Sequence, residues 1–193
     1  RYSSGSNGYP SAVLQLDDKS VSLTVMAMQS NEWCEITVAG QVVDCPGNPV
    51  DSGTFIRVAF GNLPDYGNLS VNEILYNPNE GGVDFLELIN RGIKVMDLNG
   101  TKVYETSFVD SLPVGSGTVL TAEHRLLFPG EVLAFTRSPD DLIARFPSAS
   151  RRSLVRCNTL PDFNASEGGI WLTDGQGTPI GWTIYSDTWR SEE

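Results

Sequence analysis

The chain of 193 residues carries 24 acidic against 13 basic side chains, and its net charge of −11 argues against nucleic acid as a partner. With 40% hydrophobic residues it can bury a real core, but no apolar run approaches the roughly 18–20 residues that span a bilayer. The 19 Gly and 11 Pro residues separate short groups of β-branched and aromatic residues, which predicts an all-β protein with many turns.

The first third of the chain alternates apolar and polar residues with the period of two that is typical of strands. The predicted strands are residues 13–16, 21–25, 33–38 and 54–60. Asp17, Asp18 and Lys19 predict a hairpin turn between the first two strands, and the Pro- and Gly-rich residues 44–49 predict a compact turn. Residues 61–68 have the composition of a linker, so we expect a domain boundary after residue 66.

The rest of the chain continues with short strands and a single helix start. We expect strands within residues 69–78, 82–92, 94–104, 117–121, 128–137, 169–173 and 179–185. Asn99 and Gly100 form a strong hairpin signal. Ser138 as an N-cap, Pro139 at the first helical position and acids in the first turn predict a helix, and at most one short helix is expected.

Several sequence blocks between residues 67 and 190 resemble the lamin-tail family in their order and spacing. They are VNEILYNP at 71–78, DFLELIN at 84–90, FPGEVLAFT at 128–136, LPDFN at 160–164 and GGIWLTDGQGTPIGWTIYSDTW at 168–189. Residues 1–66 are similar to the C-terminal part of a bacterial Ig-like domain, through SVSLTV at 20–25 and FIRVAF at 55–60. The resemblance implies an immunoglobulin-like β-sandwich of lamin-tail type at residues 67–193, preceded by a few strands of a second Ig-like domain.

The form of these blocks is similar to lamin-tail domains of Bacteroidetes-type bacteria, which are mostly parts of larger secreted or surface proteins. The resemblance therefore implies a non-enzymatic structural or interaction module with an extracellular or cell-surface location. The alternative is a module that binds a protein or polysaccharide partner, with or without the help of Ca²⁺. Lamin-tail domains can accompany hydrolases in one chain, so the resemblance assigns any hydrolase activity to a domain outside this sequence. Likeness of fold alone does not assign catalysis to a β-sandwich.

Glu73, Asp84 and Glu87 are the acids that match the family blocks. If they face away from their apolar neighbours on adjacent strands, the carboxylates meet and, with Asn90, offer the oxygen ligands that Ca²⁺ takes. The structural alternative is that these acids accept hydrogen bonds from turn amides and fix the strand register. A catalytic carboxylate pair would also need a cleft and two different environments, so we expect no catalytic residues.

The cysteines and the single histidine provide few further candidates. Cys34 and Cys45 are close enough in sequence to form a disulfide with Cys157 left over, and the pattern leaves this pairing open. No cysteine pair has CxxC spacing, which argues against a zinc site, and His124 has no nucleophile motif beside it. Residues 174–177 predict a plain hairpin loop, because they lack the spaced acids of a Ca²⁺ loop.

The four tryptophans and six tyrosines can build a carbohydrate platform, because sugar rings stack on exposed aromatic faces. Trp171 and Trp182 lie in predicted strands beside Ile and Leu, which favours core packing for at least one of them. Trp33 and Trp189 are less constrained by their sequence neighbours. The aromatic residues therefore predict a ligand surface only if two or more of them share one exposed face.

Overall fold

The computed structural model describes residues 2–4, 11–17, 20–24, 28, 32–38, 43, 46–49, 55–106 and 115–190. In these residues the fold is all-β, with fifteen strands in several sheets and one α-helix, which confirms the predicted fold class. None of the described helices is long and apolar enough to span a membrane. The chain forms two compact units, Arg1–Gly61 and Asn62–Glu193.

The described part of the first unit contains five short antiparallel strands. They are β1 (Tyr2–Ser4), β2 (Ala12–Gln15), β3 (Val21–Thr24), β4 (Trp33–Val38) and β5 (Phe55–Ala59). β4 pairs with both β1 and β5 and buries Cys34 and Ile36. β2 and β3 form the predicted hairpin. Asp18 and Lys19 of its turn, and Cys45, lie outside the described residues.

The second unit forms two four-stranded sheets and one smaller strand pair. Its strands are β6 (Leu69–Leu75), β7 (Phe85–Asn90), β8 (Met96–Asp97), β9 (Lys102–Thr106), β10 (Thr118–Val119), β11 (Leu126–Leu127), β12 (Val132–Thr136), β13 (Leu154–Arg156), β14 (Glu167–Thr173) and β15 (Pro179–Ser186), with 3₁₀ turns at Arg151–Ser153 and Asp187–Arg190. Sheet I has the order β13-β12-β7-β6 and is antiparallel except between β12 and β13. Sheet II has the order β10-β9-β14-β15 and is antiparallel, and β8 pairs with β11.

Sheets I and II share one hydrophobic core. In β7, Leu86 and Leu88 are fully buried in this core, so the alternation along the strand places Glu87 on the outer face. In β14, Ile170 and Leu172 take the same inward positions. Burying an apolar side chain of this size stabilises the fold by roughly 1.5–3 kcal/mol, so the core decides which face of each sheet points outward.

Helix α1 (Pro139–Arg145) packs on the outer face of sheet I. It begins with Pro at its N-terminus and two acids in its first turn, as the sequence predicts. Ser138 occupies the N-cap position, although its side chain makes no capping hydrogen bond. Leu142 is buried against Phe85 and Ala134, which form a second, smaller apolar cluster apart from the main core. The helix therefore covers part of this outer face.

A buried amide side chain joins β7 to the strands that follow it. Asn90 is fully buried, and its Nδ2 donates to the carbonyl oxygens of Lys94 and Leu127, both at 2.8 Å. Its Oδ1 accepts from the Gly92 N–H at 2.9 Å. One side chain thus fixes the turn after β7 and the approach of β11, and satisfies backbone groups that would otherwise be buried without partners.

Replacing Asn90→Asp should destabilise the second unit by about 3 kcal/mol or more at neutral pH. The substitution turns a two-hydrogen donor into a carboxylate oxygen that faces two carbonyl oxygens, and it buries a charge without a partner. The midpoint of urea unfolding, followed by tryptophan fluorescence, measures the loss.

The control is Asn79→Asp, which makes the same chemical change on an exposed turn and should shift stability by no more than about 0.5 kcal/mol. Equal unfolding midpoints for the two variants would contradict the role assigned to Asn90.

Candidate functional site

Three aromatic side chains lie in a row across the outer face of sheet II. The strand register pairs Tyr104 of β9 with Trp171 of β14, and Trp171 with Trp182 of β15. The sequence neighbours Val103 and Leu172 are buried in the core, so the alternation of side chains along each strand turns the aromatic residues outward. Tyr104, Trp171 and Trp182 are called the aromatic row below.

Two rings of the aromatic row stack on each other, and the third lies over a glycine. The ring centroids of Trp171 and Trp182 are 6.1 Å apart, with an angle of 26° between the ring planes. Trp182 is 48% exposed, and the other two side chains are half-buried. Tyr104 lies against Gly117, where a β-carbon would approach the ring to 2.5 Å, so only glycine permits this position of the ring. The row spans two strand spacings, or about 10 Å.

The prediction that at least one of Trp171 and Trp182 packs in the core is wrong, and no sequence pattern singled out Tyr104. Neither Trp171 nor Trp182 belongs to the core, because Ile170 and Leu172 take the inward positions beside Trp171, and Trp182 is its cross-strand partner. Trp33 is 48% exposed in the first unit, and the side chain of Trp189 is outside the described part. Tyr104 lies at the end of the segment 94–104 in which a strand was expected, but this pattern does not reveal which strand lies beside it.

Among the described residues, few charged groups lie beside the aromatic row. The residues two positions from Tyr104 and Trp171 along their strands point to the same face of the sheet. They are Lys102, Thr106, Gly169 and Thr173, and Lys102 is the charged residue among these four. Glu167 lies at the start of β14, four positions before Trp171. A surface of this kind favours contact with flat, weakly charged groups over the binding of an ion.

The structure brings two of the three predicted acids together on the outer face of sheet I. Glu73 of β6 and Glu87 of β7 are direct cross-strand partners, next to a β-bulge in β6. Asn72 Nδ2 donates to Glu87 Oε1 at 2.6 Å. Burial raises the pKa of Glu73, and the neighbouring Glu87 carboxylate raises it further.

Asp84 lies in a different environment and does not join this pair. Its Oδ2 accepts from the Phe163 N–H at 2.9 Å, which ties the start of β7 to residues 160–164. Burial raises the pKa of Asp84, while the hydrogen bond from Phe163 opposes the shift. Asp84 therefore fits the structural alternative, in which an acid accepts a hydrogen bond from a backbone amide.

The three acids and Asn90 are not assembled as a Ca²⁺ site. Among the described residues, no group of three or more His, Cys, Asp or Glu side chains is arranged to hold a metal ion. Asn90 is fully buried, and its side-chain oxygen already accepts from Gly92. The predicted ligands do not come together, because Glu73 and Glu87 are cross-strand partners on the outer face of sheet I, whereas Asn90 is buried. Asp84 is bonded to the backbone of Phe163 instead.

His124 and Asp97 form a close pair that organises a turn. His124 Nδ1 lies 2.5 Å from Asp97 Oδ2, and the His124 side chain is 84% exposed. Asp97 Oδ1 also accepts from the backbone N–H groups of Asn99 and Arg125, both at 3.1 Å. No described hydroxyl or thiol group is hydrogen-bonded to His124, so the pair has no nucleophile beside it in this part of the chain.

The glycine-rich loop and the cysteines have structural surroundings. Asp174 Oδ1 accepts from the backbone N–H groups of Gln176 at 2.9 Å and Thr178 at 2.7 Å, so this carboxylate closes the predicted hairpin loop. Cys34 and Cys157 are buried free thiols among the described residues, and burial raises the pKa of Cys34. Cys34 therefore takes part in no disulfide, although the sequence pattern left its pairing open.

No protein-family model matches the chain, and no curated protein sequence matches it significantly. Function has to be inferred from surfaces of the molecule itself. The aromatic row on sheet II and the Glu73–Glu87 pair on sheet I are two arrangements in the described part of the second unit that packing of the core does not require.

Replacing Glu73→Gln should stabilise the second unit in a pH-dependent way. The raised pKa of Glu73 means that the folded chain binds the proton of this carboxyl more tightly than the unfolded chain does. The protonated carboxyl therefore contributes stability below its unfolded pKa, and this contribution is lost as pH rises through the folded pKa. The unfolding free energy of the variant should therefore exceed that of the parent by about 0.2–1 kcal/mol near neutrality, and the gap should close near pH 4. Urea unfolding at a series of pH values measures it.

Glu80→Gln removes a carboxylate from an exposed turn and serves as the control. It should show no comparable rise with pH. A stability gap that is constant with pH, or that favours the parent chain near neutrality, would disprove the repulsion between Glu73 and Glu87.

Proposed function

We propose that this chain is a non-catalytic binding module that recognises a polysaccharide through the aromatic row. The observation that carries the proposal is the alignment of Tyr104, Trp171 and Trp182 on one outer face. The C–H groups of a sugar ring pack well on aromatic faces, and successive sugar units can contact successive rings. The sparse charge beside the row favours a ligand that is neutral where it contacts the rings.

The rigidity of the sheet supports binding by this surface. Each aromatic residue belongs to a strand that also places side chains in the core, so its backbone loses little conformational freedom on binding. Aromatic side chains also provide a large contact area with only two rotatable bonds each. A preformed row of three rings is therefore suited to an extended ligand without any rearrangement of the backbone.

The resemblance to the lamin-tail family supports the same proposal at the level of biological context. We infer an Ig-like lamin-tail domain of a larger secreted or cell-surface bacterial protein, preceded by part of a second Ig-like domain. In that context a binding module holds the whole protein on a polymer or at the cell envelope. Such a role requires a specific surface and no catalytic residues.

The first test measures binding of the full chain to a panel of soluble bacterial and host polysaccharides. One glycan class should raise the unfolding temperature of the chain. At a hundredfold excess over the dissociation constant, it should add about 2.7 kcal/mol to the free energy of unfolding. Trp182→Ala and Tyr104→Ala should each weaken that binding by about tenfold or more, because each removes one ring from the contact.

The control is Phe60→Ala, which removes an exposed aromatic side chain outside the aromatic row and should leave the affinity unchanged. Unfolding midpoints of all variants without ligand establish that they are folded. If no polysaccharide binds, or if Phe60→Ala weakens binding as much as Trp182→Ala, the aromatic row is not the binding surface.

A further inference from the structure

A cleft of about 310 Å³ opens on the outer face of sheet I, on the far side of the core from the aromatic row. One line of its floor follows the strand register from Leu154 through Ala134 to Glu87 and Glu73. The cleft thus has an apolar end and a carboxylate end. The polar Asn72, whose amide donates to Glu87, lies beside the carboxylate end.

The end of helix α1 forms one side of this cleft. Leu142 and Phe146 line it, and Phe146 is 48% exposed. An exposed aromatic ring beside an apolar floor offers a surface on which a further apolar group can pack. The helix therefore leaves a recess that its own side chains do not fill.

The carboxylates of Glu73 and Glu87 have no counter-charge in the described part of the chain. Like charges directly opposite each other across two strands are destabilising. Neither carboxylate forms an ion pair with a described Lys or Arg residue, and the nearby Arg145 is paired with Asp141 at 2.9 Å. The pair is therefore a costly arrangement that a cation from another molecule would relieve.

The surroundings of the pair select the kind of cation. Ca²⁺ takes 6–8 oxygen ligands, whereas the rest of this cleft is lined by Phe85, Ala134, Leu142 and other apolar side chains. An arginine side chain matches both ends, because its methylene stem packs on apolar groups while its guanidinium donates to carboxylates. Phe146 adds an aromatic ring to the lining of the same cleft.

We propose that this cleft is a docking site for an arginine side chain presented by a partner protein. The guanidinium donates to Glu73 and Glu87, and its stem lies between the floor of sheet I and the end of helix α1. The net charge of −11 attracts a basic partner surface toward the chain. This site is separate from the aromatic row, so the module would bind a polysaccharide on one face and a protein on the other.

The test uses the isotope-labelled full chain and the peptide acetyl-Gly-Arg-Gly-amide, followed by NMR shifts of backbone amides. The peptide should cause saturable shifts at residues 73, 87 and 146. The matched peptide with citrulline in place of arginine should not, because it keeps the shape and lacks the charge. Glu87→Gln and Glu73→Gln should each weaken binding by roughly fivefold to tenfold, and added salt should weaken it further.

Glu80→Gln reduces the net negative charge by the same amount outside the lining of the cleft and should leave the affinity within about twofold. Equal shifts with the citrulline peptide, or no shifts with either peptide, would overturn the proposal. So would displacement of the peptide by stoichiometric CaCl₂, since that result assigns the acids to a metal ion. Polysaccharide binding by Glu73→Gln, measured in parallel, should be unchanged, so failure of one site is distinguishable from failure of the other.

Discussion

The hydrogen bonds of the buried Asn90 side chain are the constraint on which the rest of the second unit depends. A strand that slips by one residue exchanges its inward and outward faces, and in β7 this would expose Leu86 and Leu88 and bury Glu87. Asn90 lies at the end of β7, where its side-chain amide donates to the carbonyl oxygens of Lys94 and Leu127. A slipped strand would turn this amide away and leave both carbonyl groups without its hydrogen bonds. Its three bonds therefore hold the register in which the core is apolar and the carboxylate is outside.

The outer faces of the two sheets have different surroundings, and this difference separates the two proposed sites. Helix α1 lies on sheet I and leaves an apolar recess next to two carboxylates. The aromatic row lies on sheet II, with Gly117 leaving space for Tyr104 at its end. One face thus provides a pocket with charge, and the other provides a broad surface of rings with little charge. Each suits a different class of ligand.

Local sequence patterns predicted many strands and the helix start, because alternation, turn residues and helix starts depend on near neighbours in the chain. The hairpin of β2 and β3, the strands β6 and β7, and the start of helix α1 were all found in this way. The pairing of Glu73 with Glu87 was also predictable, since a short connection joins their strands. The hairpin signal at Asn99 and Gly100 was wrong, because β8 pairs with β11 whereas β9 pairs with β10 and β14.

The rest depended on contacts between distant parts of the chain, which a single sequence does not encode in any local pattern. Tyr104 and Trp171 meet only because β9 and β14 are neighbours in sheet II. Asp84 was wrongly grouped with the glutamates because its partner, the Phe163 N–H, is 79 residues away. The expected core packing of Trp171 or Trp182 was wrong because Ile170 and Leu172 take the inward positions of β14, and Trp182 is the outward partner of Trp171.

The hydrogen bonds of the acids in the second unit separate those that serve folding from those that do not. Asp84, Asp97, Asp174 and Glu105 each accept from at least one backbone N–H group. Neither Glu73 nor Glu87 accepts from the backbone of any described residue, and the two lie opposite each other at an electrostatic cost. An arrangement that folding does not require, and that stability disfavours, is best explained by a ligand that needs both charges.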